Sequence, residues 1–406
     1  MLAPGTRRNL ELAVLVLALA VAWNFWLPLA EDFYNDVTEA NALRNRDLQN
    51  VDFFAYYLAG ARFADGQNPY YFDQGQERLY AEYVYPPTYL PLYRALSRLP
   101  YDQARLLWLG LYLAGYAGLA VVVNRAALPE HRSTLLALTA LLTFTSFPFL
   151  MHIHNGQSDV FVLILLLLGW TVYARGAWLP ASILFALATL AKVNPALFLV
   201  YFGLYRRDAR FALGFSLTCA AVGLASLAFV PASLYRDYLF DVLPQVTRGT
   251  AYWPNQSLLR FVPEGQDWLA PIVTAVGLGL FAWMAAWLGR RHSALQRQPG
   301  WPLGAGTWVS ESLFWMNMAV ILVLSGKAWS MAYVWMILPM ALFLTYLLHQ
   351  PIRAWYLGLT AAAALLLSSK IYGYPLLDFL NLLGSLLLLV VLGLWIFRRD
   401  QLLATA

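Results

Sequence analysis

The chain has 406 residues, of which 60% are apolar, 16% aromatic and 12% charged. A soluble domain carries about 25% charged residues, so this composition excludes an ordinary water-soluble fold. The net charge of +5 does not point to nucleic acid, because the arginines are scattered between hydrophobic runs rather than gathered into one stripe. The single cysteine, Cys219, excludes an intramolecular disulfide.

Apolar runs recur at close to the ~20 residues a helix needs to cross hydrocarbon. They predict an all-α, polytopic membrane protein forming one integral membrane domain over residues 1–406; a barrel would show shorter, alternating segments. The first run, Leu10 to Leu29, is longer than the roughly 7 to 15 apolar residues of a signal peptide and reads as an uncleaved helix. Further segments start near Arg105, Thr134, Asp159, Ala177, Pro195, Phe211, Leu269, Thr307, Trp329, Ala354 and Leu376, about twelve in all. The fifth and sixth share only Ala177 to Leu204, too little for two full crossings.

Short cytoplasmic loops collect lysine and arginine. With both termini cytoplasmic, the inner ends carry Arg7 and Arg8, Arg125 and Arg132, Arg206, Arg207 and Arg210, Arg290 and Arg291, and Arg398 and Arg399. Two long extracytoplasmic loops result, residues 31–104 and 231–268. Lys192, Lys327 and Lys370 each fall at an outer helix end, as do His152, His154, Asn155, Gln157, Asp159 and Asn194. Ionisable groups near lipid usually mark a site, so a reaction or binding centre is expected at the outer surface. A lysine there can also simply snorkel to the headgroups.

In the first long loop, Val51 to Phe63 has helical spacing. Val51, Phe54, Leu58 and Ala61 can form one apolar stripe, with Asp52, Tyr56, Ala59 and Phe63 on the next. An interfacial helix is expected, ended by the turn residues Gly66, Asn68 and Pro69. The following YVYPPTYLPLYRAL reads as an extended entry and then a short helix. Asp52 has two readings. With Asn50 it can cap the helix start, or it can be a general base whose proton affinity is raised by the aromatic surfaces around it. Asp36 and Asp159 compete for the second role.

The knot HIHNGQSD, His152 to Asp159, offers imidazoles, amides and an acid. They either cap two helices or hydrogen-bond a sugar or phosphate. No metal is expected, since His131, His292 and His349 fall on the opposite side and no cysteine is near. In AYWPNQSLLR, Tyr252 and Trp253 are stacking surfaces beside Asn255 and Gln256, suited to a sugar or to anchoring at the interface.

Five stretches in this order, VDFFAYYLAGARFADGQNPYY, VYPPTYLPLY, HNGQSDVFVLILLLLGW, LATLAKVNPALFLVYF and NQSL, resemble glycosyltransferase family 87. These are C-type membrane enzymes similar to bacterial polyprenol-phosphate-mannose-dependent mannosyltransferases. The resemblance covers most of Leu10 to about Tyr346. It implies a C-type glycosyltransferase fold in the cell membrane and a donor sugar, most simply mannose, on a polyprenyl phosphate. It also implies transfer to a lipid or glycan acceptor on the extracytoplasmic side, with no cofactor. The family's acid in the first outer loop matches Asp52. Its Trp-x-His element falls on KAWSMAYVWMILP, where Met331 stands in place of histidine.

The expected reaction is inverting, with Asp52 as base and Lys327, Lys192, Arg260 and Lys370 receiving the donor phosphate. The sugar contacts would be His152, His154, Asn155, Gln157, Asp159, Tyr252, Trp253, Asn255 and Gln256. A lipid-linked-sugar flippase or other transporter is the alternative. Transporters, however, usually place polar groups at mid-membrane between two related halves, and here the polar residues crowd one face without an internal repeat.

Overall fold

The computed structural model describes residues 51–70, 83–249, 255–263, 265–291, 308–349, 354–369 and 379–404. Among them there is no β-strand, and nearly all are helical. In chain order the main helices are α1 (Val51–Ala64), α2 (Leu90–Leu96), α3 (Tyr101–Ala126), α4 (Arg132–Thr145), α5 (Phe147–Asn155), α6 (Asp159–Ala174) and α7 (Trp178–Ala191). There follow the irregular α8 (Asn194–Tyr205), α9 (Ala209–Ser226), α10 (Leu269–Arg291), α11 (Trp308–Leu324), α12 (Ser330–His349), α13 (Ala354–Ser368) and α14 (Leu380–Ala404).

Among the described residues, α3, α9, α10, α12 and α14 are long and apolar enough to cross a membrane, and α4 with α5 makes a sixth if counted as one bent span. A helix begins near every expected segment from Arg105 onward, while the one near Leu10 lies outside the described residues. Twelve crossings are more than these lengths support. Helix α7 has 14 residues, about 21 Å at 1.5 Å per residue, against ~30 Å of hydrocarbon; α6, α8, α11 and α13 are similarly short.

The segment expected as one helix from Thr134 is instead bent by 60° between α4 and α5. Pro148 in the first turn of α5 has no N–H to continue the α4 ladder, and the Ser146 side chain caps the new helix by accepting from the Phe149 N–H at 3.2 Å. Gly156, at φ +65°, ends α5 in the left-handed conformation.

Two apolar cores result. The larger runs through the bundle, with α12 almost wholly buried at its centre. The flanks of α3, α9 and α10 expose Leu111, Leu217, Leu224, Val276, Leu280 and Trp283, as lipid-facing surfaces do. The smaller core, over one end of the bundle, joins α1 and α2 to the start of α3 and to the helical turns at Ala232–Asp237 and Tyr238–Val242. Its packing is aromatic: Tyr56 stacks on Tyr93 at 5.1 Å, and Phe53 lies 5.9 Å from Trp108.

Helix α1 turns a different face inward from the one its most apolar stripe implied. Phe53, Tyr56, Ala59 and Gly60 are buried, as is Phe54 of the expected stripe, whereas Leu58 and Ala61 of that stripe are only partly so. The deciding residue is Gly60. A Cβ there would collide with the Tyr93 carbonyl of α2, so the glycine side of α1 is the one that lets the two backbones approach. In an open helical position alanine is more stable than glycine by roughly 0.5–1 kcal/mol. Gly60→Ala should reverse that sign and cost about 1–3 kcal/mol through overpacking, whereas Gly110→Ala, with nothing within 4 Å of its added Cβ, should be neutral or slightly stabilising. Thermal unfolding of the two variants in the same detergent compares them directly.

Candidate active site

Three helix ends and two loops meet at the end of the bundle beneath the smaller core. The α5–α6 turn brings Gln157 and Asp159, the end of α7 brings Lys192 and Asn194, the α11–α12 loop brings Ser325, Lys327 and Trp329, and the first turn of α12 brings Met331. With Tyr85, Tyr238 and Thr247 they wall a cavity of about 80 Å³. His131, Arg206 and His349, at the start of α4 and the ends of α8 and α12, are not among its wall residues.

Asp159 is 1% exposed and begins α6, where a carboxylate complements the helix dipole. Its Oδ1 accepts from Lys192 Nζ at 2.7 Å, and its Oδ2 has no hydrogen-bond partner among the described residues. Its backbone carbonyl takes the Trp335 indole N–H at 2.9 Å, fixing α6 to α12. Lys327 also faces the cavity and makes no ion pair with a described side chain.

Asp52 sits on the first turn of α1, outside the membrane-spanning helices, and is half-buried. Its carboxyl lies beside the Gln157 side chain, whose amide favours the ionised form. Asp52 does not itself wall the cavity; Gln157 stands between them. Burial pushes its proton affinity up to about 7, against the opposing pull of the Gln157 hydrogen bond and the Lys192 charge, with a small further push from Asp159. Around it, burial lifts the Tyr56 and Tyr85 phenols well above their ordinary range, so both remain neutral donors.

The other expected residues separate into those at the cavity and those away from it. Asn155 is buried beside it, donating its amide to Met331 Sδ at 3.2 Å. His152 is fully buried and stacked on Tyr112 at 4.6 Å, away from the cavity wall. His154 offers its backbone carbonyl to Arg105 at 3.1 Å. Among the described residues no three His, Cys, Asp or Glu side chains converge as metal ligands do.

Asn255 and Gln256 are buried behind the wall rather than in it. Asn255 donates to the Gly326 carbonyl at 3.1 Å and accepts from the Ala328 N–H at 3.0 Å, while the Gln256 N–H donates to the Ala328 carbonyl at 2.7 Å. They hold the loop that carries Lys327. Arg260 lies over the Phe379 ring at 5.9 Å and is not a wall residue. Lys370, Tyr252, Trp253 and Asp36 lie outside the described residues.

The site also contains residues that sequence reasoning passed over. Tyr56 and Tyr85 were legible only as aromatic packing and as an extended entry, yet their hydroxyls reach Gln157 at 3.1 Å each. Only the hydroxyl that distinguishes tyrosine from phenylalanine hinted at this. Removing the amide that clamps the lysine loop has a calculable effect: Asn255→Ala leaves the Gly326 carbonyl and Ala328 N–H unmatched, and should cost roughly 1–3 kcal/mol. Denaturant unfolding and proteolysis at the Lys327 loop are the readouts.

The family model "Glycosyltransferase family 87" matches residues 83–299. Over 371 residues the chain is 27% identical to a polyprenol-phosphate-mannose-dependent alpha-(1-2)-phosphatidylinositol pentamannoside mannosyltransferase of Mycolicibacterium smegmatis, covering 86% of this chain and 79% of that one. Over 353 residues it is 27% identical to a polyprenol-phosphate-mannose-dependent alpha-(1-2)-phosphatidylinositol mannoside mannosyltransferase of the same organism, covering 79% of this chain and 75% of the relative.

Proposed function

The chain belongs to glycosyltransferase family 87, and from that membership we propose that it transfers mannose from a polyprenyl-phosphate carrier to a lipid-linked glycan acceptor on the extracytoplasmic face, with inversion. The carrier and the sugar follow the activity in the names of both relatives. The observation that carries the reading is a carboxylate of raised proton affinity, Asp52, set behind Gln157 at a cavity edged by Lys192 and Lys327. An acid of high proton affinity beside cations is what this transfer asks for. A transporter would place its polar groups in broken helices near mid-membrane, and this cavity lies at the helix ends.

In the proposed step the acceptor hydroxyl reaches the open side of Asp52 and gives its proton to the carboxylate. The acceptor oxygen bonds to the anomeric carbon as the bond from that carbon to the phosphate oxygen breaks. The bond pair leaves with polyprenyl phosphate, so the protein must receive negative charge rather than donate a proton. Lys327 and Lys192 supply the positive field in a partly dry cleft, where it is stronger than in water. Met331 lines the same wall without charge or exchangeable proton, which leaves the ammonium of Lys327, four residues earlier, to meet the phosphate. The unmatched Oδ2 of Asp159 is available to a sugar hydroxyl.

Asp52→Asn should abolish release of polyprenyl phosphate from a labelled polyprenyl-phosphate mannose while the protein stays folded. Normal turnover would remove Asp52 from the mechanism, and movement of the intact lipid across vesicles would assign the chain to transport. Since the base must be ionised, activity should rise with pH through about 7, falling about tenfold per unit below that value. Lys327→Met should lower turnover by about 10²-fold, the scale of losing one preorganised charge, as measured by single-turnover transfer.

A further inference from the structure

We propose that Gln157 is a positioning residue for Asp52: held by the hydroxyls of Tyr56 and Tyr85, its carboxamide donates to the carboxylate and keeps it ionised and aimed. The inference rests on the reading of Asp52 as base and gives Gln157 a different task from the sugar contact its sequence position implied.

Hydrogen-bond roles decide the geometry. Tyr56 and Tyr85 each donate a hydroxyl to Gln157 Oε1 at 3.1 Å. The Tyr56 oxygen in turn accepts the Ser158 N–H at 3.3 Å and shares a hydrogen bond with Ser158 Oγ at 3.1 Å. With two donors on the amide oxygen, the amide nitrogen is left to face the Asp52 carboxylate. Turning the amide over would set its oxygen against the carboxylate and take from the Tyr85 hydroxyl its acceptor, an arrangement that buried groups avoid.

The network cannot easily relax. Gln157 is 2% exposed and Tyr56 fully buried. Tyr56 is wedged between Tyr93, stacked at 5.1 Å, and Tyr85, tilted at 5.1 Å. The backbone helps: Phe53, next to Asp52, meets Gly156, next to Gln157, so closely that a Cβ on the glycine would sit 2.7 Å from the Phe53 Cβ. The two functional side chains are therefore held abreast by their neighbours.

The titratable groups around the carboxyl are Tyr56, Tyr85, Lys192 and Asp159. The helices packed on α1 add Tyr93 from α2, Tyr101, Asp102 and Arg105 from α3, and His152 and His154 from α5. Of the influences that favour the ionised acid, the Gln157 side chain is the largest, ahead of the Lys192 charge. Losing it raises the proton affinity of Asp52, so a higher pH is needed to free the base.

The test is the pH profile of kcat/KM for transfer from polyprenyl-phosphate mannose by the full chain in detergent. In Gln157→Met the acid limb should move alkaline by about one pH unit, with activity on the high-pH plateau largely recovered. Tyr56→Phe should shift it the same way by less. Tyr56 does not wall the cavity and would retain its ring packing, so a shift in this variant reports the network and not a lost substrate contact. An unchanged limb in either variant, or a raised KM without a shift, overturns the proposal. If Asp52→Asn turns over normally, the base assignment itself has failed; if Asp52→Asn is inactive and the limb stays put, only the role of Gln157 has.

Discussion

The end of the molecule that carries the cavity depends on one close approach, that of Phe53 to Gly156. Gly156 occupies the left-handed region at φ +65°, and its missing side chain leaves room for the Phe53 Cβ. On the other side the Arg105 guanidinium fills the remaining space, donating to the carbonyls of Ile153 and His154 at the C-terminal end of α5, where a cation opposes the negative pole of the helix. Trp108 completes the junction by donating to the Gly156 carbonyl at 2.8 Å. Arg105, named in the sequence only as the start of a segment, thus becomes the rivet between α3 and α5.

From that junction the electrostatic character of the site follows. Two acids lie near one another but in different circumstances. Asp159 is nearly inaccessible, yet it has Lys192 at 2.7 Å, and a close ammonium offsets the loss of water. Asp52 has the neutral Gln157 amide beside it, and burial outweighs what that amide and the Lys192 charge return. One acid is thereby committed to holding a cation, and the other is poised to take up a proton near neutral pH. The division arises from packing, since both are the same residue type.

The cationic side is organised from behind. The backbone of the Gly326–Trp329 loop is bonded to Asn255 and Gln256, and Gly326 packs against the Val246 and Thr247 backbone too tightly for any Cβ. Ser325 is in turn bonded to Asn194 at 3.3 Å, linking this loop to the end of α7 and α8. The amides of NQSL thus act on Lys327 through the backbone of its loop. That polar pair between aromatic residues was readable as sugar chemistry, because amide side chains serve backbone and ligand with the same donors and acceptors.

The amino-acid sequence by itself determined that this is a helical membrane protein and where most of its described helices begin. Those are consequences of hydrophobic length, period and turn chemistry, each readable within a short window. It did not determine the bend at Ser146, the inward face of α1, the withdrawal of His152 and Arg260 from the cavity, or the bond that joins Tyr56 to Gln157 across 101 positions. Those were decided by tertiary structure, for a physical reason: a hydroxyl or amide takes its role from which distant donor or acceptor packing brings within about 3 Å, and no local pattern records that encounter.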